Sequence, residues 1–106
     1  MDKGSVIDIA NKYSEKVCET MSVKEIILYG SYAKNNADSN SDIDIAVIIG
    51  ELEEDYLDIQ TKLFKLRRSV DLRIEPILFE DSNDKSGFLK EIKETGVNIY
   101  STAAVK

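Results

Sequence analysis

The sequence predicts an α+β domain in which helices pack against one β-sheet. Three observations carry that prediction. Apolar residues switch between helical and strand spacing along the chain, so elements follow in the order α-β-β-α-β-α. Glycines, the proline and clusters of Asp, Asn and Ser fall between the periodic segments, where turns belong. The composition, 42% apolar and 32% charged over 106 residues, is that of an ordinary globular protein and predicts a single domain spanning 1–106.

Residues 5–20 carry Val6, Ile9, Tyr13 and Val17, with Met21 just beyond, at steps of three and four, which predicts an amphipathic helix. Residues 23–29 read as a short strand ending at Gly30, after which Tyr32, Ala33 and Lys34 can begin a short helix. The polar stretch 35–41 is a loop, and residues 42–49 form a second strand closed by Gly50. Residues 53–67 place Tyr56, Ile59, Leu63 and Leu66 in a stripe, acids first and bases last, as the helix dipole favours. Residues 70–79 form a third strand holding the single proline, Pro76; proline donates no N–H, so pairing there must end, bulge or face an edge. A loop over 81–87, a helix over 88–95 stopped by Gly96, and an extended segment over 97–100 complete the pattern.

Composition removes several chemistries. The chain has no histidine, which excludes Ser-His-Asp and Cys-His catalysis and histidine zinc sites. A metal here must be held by oxygen, which favours magnesium, manganese or calcium. Twenty acids against fourteen bases give a net charge of −6, so no strong nucleic-acid binding is expected. No apolar run approaches the roughly 20 residues of a membrane helix, and no signal-peptide pattern opens the sequence. The lone Cys18 allows no internal disulfide, and its apolar-leaning surroundings predict a small core or half-buried residue. A cytoplasmic protein that engages no membrane is the expectation.

The stretch LYGSYAKNNADSNSDIDIAV, residues 28–47, concentrates the chemistry. On the second strand Asp42 and Asp44 share one face, while Ile43, Ile45, Val47 and Ile49 share the other. Two carboxylates on alternate residues repel unless a cation lies between them, and together they make a seat for one or two magnesium ions. Taken alone, the same triplet also fits a solvated strand end. Gly30-Ser31 ends the preceding strand: glycine admits close approach, and the free amides and hydroxyl of such a turn can cradle phosphate oxygens. Taken alone, Ser31 also fits a simple helix cap. With the two strands paired, both features lie at one end of the sheet, and their conjunction is a nucleoside triphosphate site. In the third strand Asp71, Arg73 and Glu75 share a face opposite Val70, Leu72 and Ile74, a pattern that also fits a solvated mixed-charge face. Phosphoryl chemistry calls for a further acid to complete the metal shell or accept a proton; Asp71 fits that role, with Glu75 as the alternative.

Gly30-Ser31, ten intervening residues and Asp42-Ile43-Asp44 form the pattern Gly-Ser-x10-Asp-x-Asp. With VDLRIEPILFE following a helix, it resembles the DNA polymerase beta nucleotidyltransferase superfamily, in particular the minimal nucleotidyltransferases of bacteria and archaea. The resemblance covers roughly residues 23–80 and, in length and element order, the whole chain. Asn35 stands where many members have glycine; asparagine tolerates left-handed geometry, so the loop can still form.

The resemblance implies a polymerase beta-like fold, a mixed sheet with helices mainly on one face, and transfer of a nucleoside monophosphate, AMP from ATP, onto a hydroxyl. It implies that Gly30, Ser31 and Lys34 bind the triphosphate, that Asp42 and Asp44 ligate two Mg2+ ions, and that Asp71 binds one metal and helps activate the nucleophile. It also implies the antitoxin role of a toxin–antitoxin pair, with a HEPN-type toxin as partner and protein substrate. With no additional domain to grip an acceptor, the hydroxyl must be presented by another molecule. A non-catalytic antitoxin that neutralises its partner by contact is the second reading, and the oligomeric state stays open.

Overall fold

The computed structural model describes residues 3–38, 40–81 and 86–102. Its elements are helix α1 (Lys3–Thr20), strands β1 (Glu25–Tyr29) and β2 (Ile43–Ile49), helix α2 (Tyr56–Leu66), strand β3 (Ile74–Glu80), helix α3 (Phe88–Thr95) and strand β4 (Val97–Ser101). The predicted order holds, with the terminal extended segment promoted to a strand.

The four strands form a mixed sheet in the order β3-β2-β1-β4. β1 pairs antiparallel with both β2 and β4, whereas β2 and β3 run parallel. A parallel pair needs a crossover, and α2 supplies it. α1 and α2 cover one face: Val6, Ala10, Tyr13 and Val17 of α1 and Ile59 and Leu63 of α2 bury Ile26, Leu28, Ile43, Ile45, Val47, Ile74 and Leu78. The Tyr13 hydroxyl donates to the Leu63 carbonyl at 2.7 Å, so the polar atom of that buried ring is satisfied between the two helices. The short α3 covers part of the opposite face, where Leu89 and Ile92 pack on Ile27, Ala46 and Ile48. The helices thus lie mainly on one face, as expected.

Local chemistry sets the boundaries. The Asp55 side chain caps α2 by accepting from the Leu57 N–H at 2.9 Å, which starts the helix three residues after the predicted 53. Pro76 lies on the edge strand β3, as its missing donor requires. Gln60 of α2 covers that edge, donating to the Pro76 carbonyl at 2.6 Å and accepting from the Leu78 N–H at 3.0 Å.

Three expectations are corrected. β3 begins at Ile74, not at 70: a single 3-10 turn, Arg67–Ser69, extends α2, and Asp71 then accepts from the Arg73 N–H at 2.8 Å. This side-chain bond to the backbone holds the chain in a turn and competes with the sheet ladder, so Asp71 and Arg73 are outside the strand and Leu72 is exposed. Cys18 is exposed rather than buried, because the buried stripe of α1 runs through Ala10, Tyr13, Ser14 and Val17. Residues 31–35 form a turn rather than a short helix. The centre of the predicted 81–87 loop, 82–85, lies outside the described residues.

Candidate active site at the Gly30 turn and the start of β2

β2 is central and buried on both faces: of its seven residues, Asp44 alone is not buried. Its register places it between Tyr29 on β1 and Glu75 on β3. The three side chains share the face that α3 covers further along, where Tyr29 and Phe79 flank the small core under that helix. Asp42 lies just before the strand, exposed. Three carboxylates therefore gather at one strand end.

Burial and crowding shift these groups. Burial, then the charge of Asp42, then that of Glu75, push the Asp44 carboxyl above its ordinary range. Burial and the charges of Asp44 and Glu75 push the Tyr29 phenol up to about 12, so this ring stays neutral at physiological pH.

Gly30 follows Tyr29 directly, with φ +75. A Cβ built on it would collide with Asp44 Oδ2, so glycine is required both for the left-handed backbone and for room beside the carboxylate. The chain then turns back: the Lys34 N–H donates to the Gly30 carbonyl at 3.1 Å and the Asn36 N–H to the Ser31 carbonyl at 3.0 Å. Asn35 takes φ +61, the left-handed geometry that asparagine tolerates, so the loop forms without the glycine. Among the described residues, the amides of Ser31, Tyr32 and Ala33 donate to no backbone acceptor. Tyr32 pins the turn from below, 4% exposed, its hydroxyl donating to the Asp38 carbonyl at 3.3 Å. Lys34 is exposed on the turn. The Gly-Ser turn and the acidic pair thus occupy the same end of the sheet, as the sequence predicted.

Asp71 is arranged differently. Its carboxylate accepts from Arg73 Nε at 3.0 Å and Nη2 at 2.7 Å, and this paired guanidinium holds the Asp71 carboxyl below its ordinary range. The structure brings Glu75, rather than Asp71, into register with Asp44. The sequence named Glu75 only as the alternative to Asp71 and did not name Tyr29; the pairing that sets both beside Asp44 comes from strand register, which parity within one strand does not give.

The donor set suits a hard divalent cation. All groups are oxygen, and a cation would offset the burial and the neighbouring charges that raise the Asp44 carboxyl. Among the described residues, no three acidic or thiol side chains already converge into a metal cage. A cavity of about 450 Å³ lies at the other end of the sheet, between the start of β1 and the end of β2. Its two lysines are paired, Lys24 with Asp81 and Lys62 with Glu54, each at 3.1 Å, so it offers no unpaired cation for an anionic ligand.

The sequence pattern of the family described as Polymerase beta, Nucleotidyltransferase matches residues 4–104. Among curated proteins, the chain is 28% identical over 100 residues to MJ0141 of Methanocaldococcus jannaschii, named as a candidate protein adenylyltransferase; the alignment covers 89% of this chain and 98% of that protein. A second protein of that organism and designation, MJ0604, is 50% identical over 42 residues, 39% of this chain and 41% of that one. Among solved structures, a candidate nucleotidyltransferase from Sulfolobus solfataricus superposes with a TM-score of 0.69 at 18% identity, covering 95% of this chain and 85% of the other. A toxin–antitoxin structure with AMP-PNP superposes with a TM-score of 0.66 at 21% identity, covering 89% and 75%. These two likenesses show the fold.

Proposed function

Because the chain belongs to the polymerase beta nucleotidyltransferase family, we propose that it is a protein adenylyltransferase, moving AMP from ATP onto a hydroxyl of a partner protein. The observation that carries this is the position of Asp44: the one residue of central β2 left unburied, beside Asp42 and Glu75 and against the Gly30 turn. The adenylyltransferase designation of the relative that aligns along nearly its whole length supports a protein acceptor.

In this reading the amides of Ser31, Tyr32 and Ala33, with the Ser31 hydroxyl, cradle the triphosphate, and Lys34 offsets its charge. Asp42 and Asp44 hold magnesium, which supplies charge neutralisation on the phosphates. Glu75 rather than Asp71 takes the third carboxylate position, and there it receives the proton of the acceptor hydroxyl. The acceptor oxygen forms a bond to the α-phosphorus while the bond to the β-phosphate oxygen breaks, and pyrophosphate leaves with that electron pair. Asp71 positions Arg73 and the turn that leads into β3.

The same reading makes the chain the antitoxin of a toxin–antitoxin pair, with a HEPN-type toxin as acceptor. Support comes from the toxin–antitoxin neighbour crystallised with a nucleotide analogue. The test mixes the protein with magnesium, α-labelled ATP and that toxin, and follows the label. Label on the toxin, lost with Asp44→Asn, is the expected result. A tight complex without label, across all four nucleotides, would make the chain an antitoxin that acts by contact alone.

A further inference from the structure

Phe88 opens α3 and is 45% exposed, although it is not needed to seal the helix: Leu89 and Ile92, each 2% exposed, do that. Its ring is nevertheless held in place. It meets Tyr29 edge-on, with centroids 6.1 Å apart and planes at 85°, and leans on Phe79 at 5.9 Å. Tyr29 is the register partner of Asp44, and Phe79 lies four residues past Glu75 on the same face. The exposed side of Phe88 therefore stands one side-chain layer from the gathered carboxylates, on the edge of the proposed triphosphate site. Gly87, just before it, has φ +77, and a Cβ added there would meet nothing within 4 Å. The other large exposed apolar side chains among the described residues, Tyr56, Leu57 and Leu72, belong to α2 and to the turn before β3.

Resting on the nucleotidyltransferase reading, we infer that Phe88 is the stacking platform for the base of the nucleoside triphosphate, held in place by Tyr29 and Phe79. A planar base offers a π-face to a fixed exposed ring, and such stacking tolerates any base, so Phe88 strengthens nucleotide binding without choosing among bases. A phosphate chain alone gains nothing from it.

Calorimetric titration with Mg-ATP and with Mg-tripolyphosphate separates the base from the phosphates. The wild type is expected to prefer ATP. Phe88→Leu, which keeps an apolar side chain against Tyr29 and Phe79, is expected to weaken ATP binding by roughly 5- to 150-fold while leaving tripolyphosphate unchanged, and Phe88→Tyr to restore it. Equal weakening of both ligands, no weakening of either, or a wild type without preference for ATP would overturn the inference. A variant that binds ATP normally but transfers label slowly would also overturn it, assigning the ring to the acceptor. A wild type that binds neither ligand would remove the nucleotidyltransferase reading itself.

Discussion

Replacing Gly30 by alanine tests the site through two separate physical effects. The backbone at φ +75 costs a non-glycine residue about 1–2 kcal/mol. The added methyl collides with Asp44 Oδ2, and moving that carboxylate off its rotamer costs about 0.5–1.5 kcal/mol more. The lower entropy of the unfolded alanine chain offsets about 0.5 kcal/mol. A net loss of about 2 kcal/mol follows, which for a domain of this size lowers Tm by roughly 8–16 °C. The fold survives, because stabilities run to about 5–15 kcal/mol, but Asp44 is displaced and transfer of label falls below detection. Thermal unfolding by circular dichroism reads the first effect and the labelled-ATP assay the second. A double-mutant cycle separates them: in an Asp44→Ala background the collision disappears, so the cost of Gly30→Ala should drop to about 1 kcal/mol. An equal cost in both backgrounds, or an active Gly30→Ala, would show that the turn and the carboxylate are not in contact and would refute the reasoning.

Asp44→Asn should end transfer yet raise Tm, since it removes a charge disfavoured first by burial and then by Asp42 and Glu75. A carboxyl raised in the fold lowers stability above its raised value, so the Tm advantage of the variant should be full at neutral pH. It should shrink as pH falls through that value towards the ordinary carboxylate range. Glu75→Gln should lose transfer whereas Asp71→Asn should keep it, at a stability cost of about 1 kcal/mol from the broken Arg73 pair; the reverse pattern in the label assay would restore Asp71 to the reaction. Asp81→Asn should remove the ion pairs to Lys24 and Lys93 and cost about 0.5–1 kcal/mol in low salt, less in high salt. The lysines hold the Asp81 carboxyl below its ordinary range, chiefly Lys93, so this stabilisation is present above that range and is lost as acid protonates the group; denaturant titrations across pH follow it.

Much of the architecture could be read from local pattern. The α1 stripe, the bounds of α3 and the edge position of Pro76 follow from side-chain periodicity, from glycine stops and from a missing N–H, all properties of short segments. The closeness of Asp42 to Asp44 follows from their spacing alone, although β2 starts at Ile43 and leaves Asp42 just before the strand. Asn35 is a further case, where the tolerance of the residue for positive φ matched the turn it had to make. Where local pattern erred, two local interactions competed. Alternation over 70–75 favoured a strand, but the Asp71 carboxylate bonded the Arg73 backbone and kept those residues in a turn. Cys18 was misplaced because the stripe of α1 passes one position to its side.

The sequence by itself determined which chemistry is available: oxygen donors without histidine, a Gly-Ser turn, and alternate carboxylates at a strand head. Only the tertiary structure decided which groups meet. Antiparallel pairing of β1 with β2 sets Tyr29 opposite Asp44 and leaves no room for a Cβ on Gly30. Parallel pairing of β2 with β3 sets Glu75 beside Asp44, while Asp71, before the strand, pairs with Arg73. α3, on the less covered face, then sets Phe88 beside them. Register between strands depends on how whole hydrophobic faces match beneath the helices, so parity within one strand says nothing about which partner lies alongside.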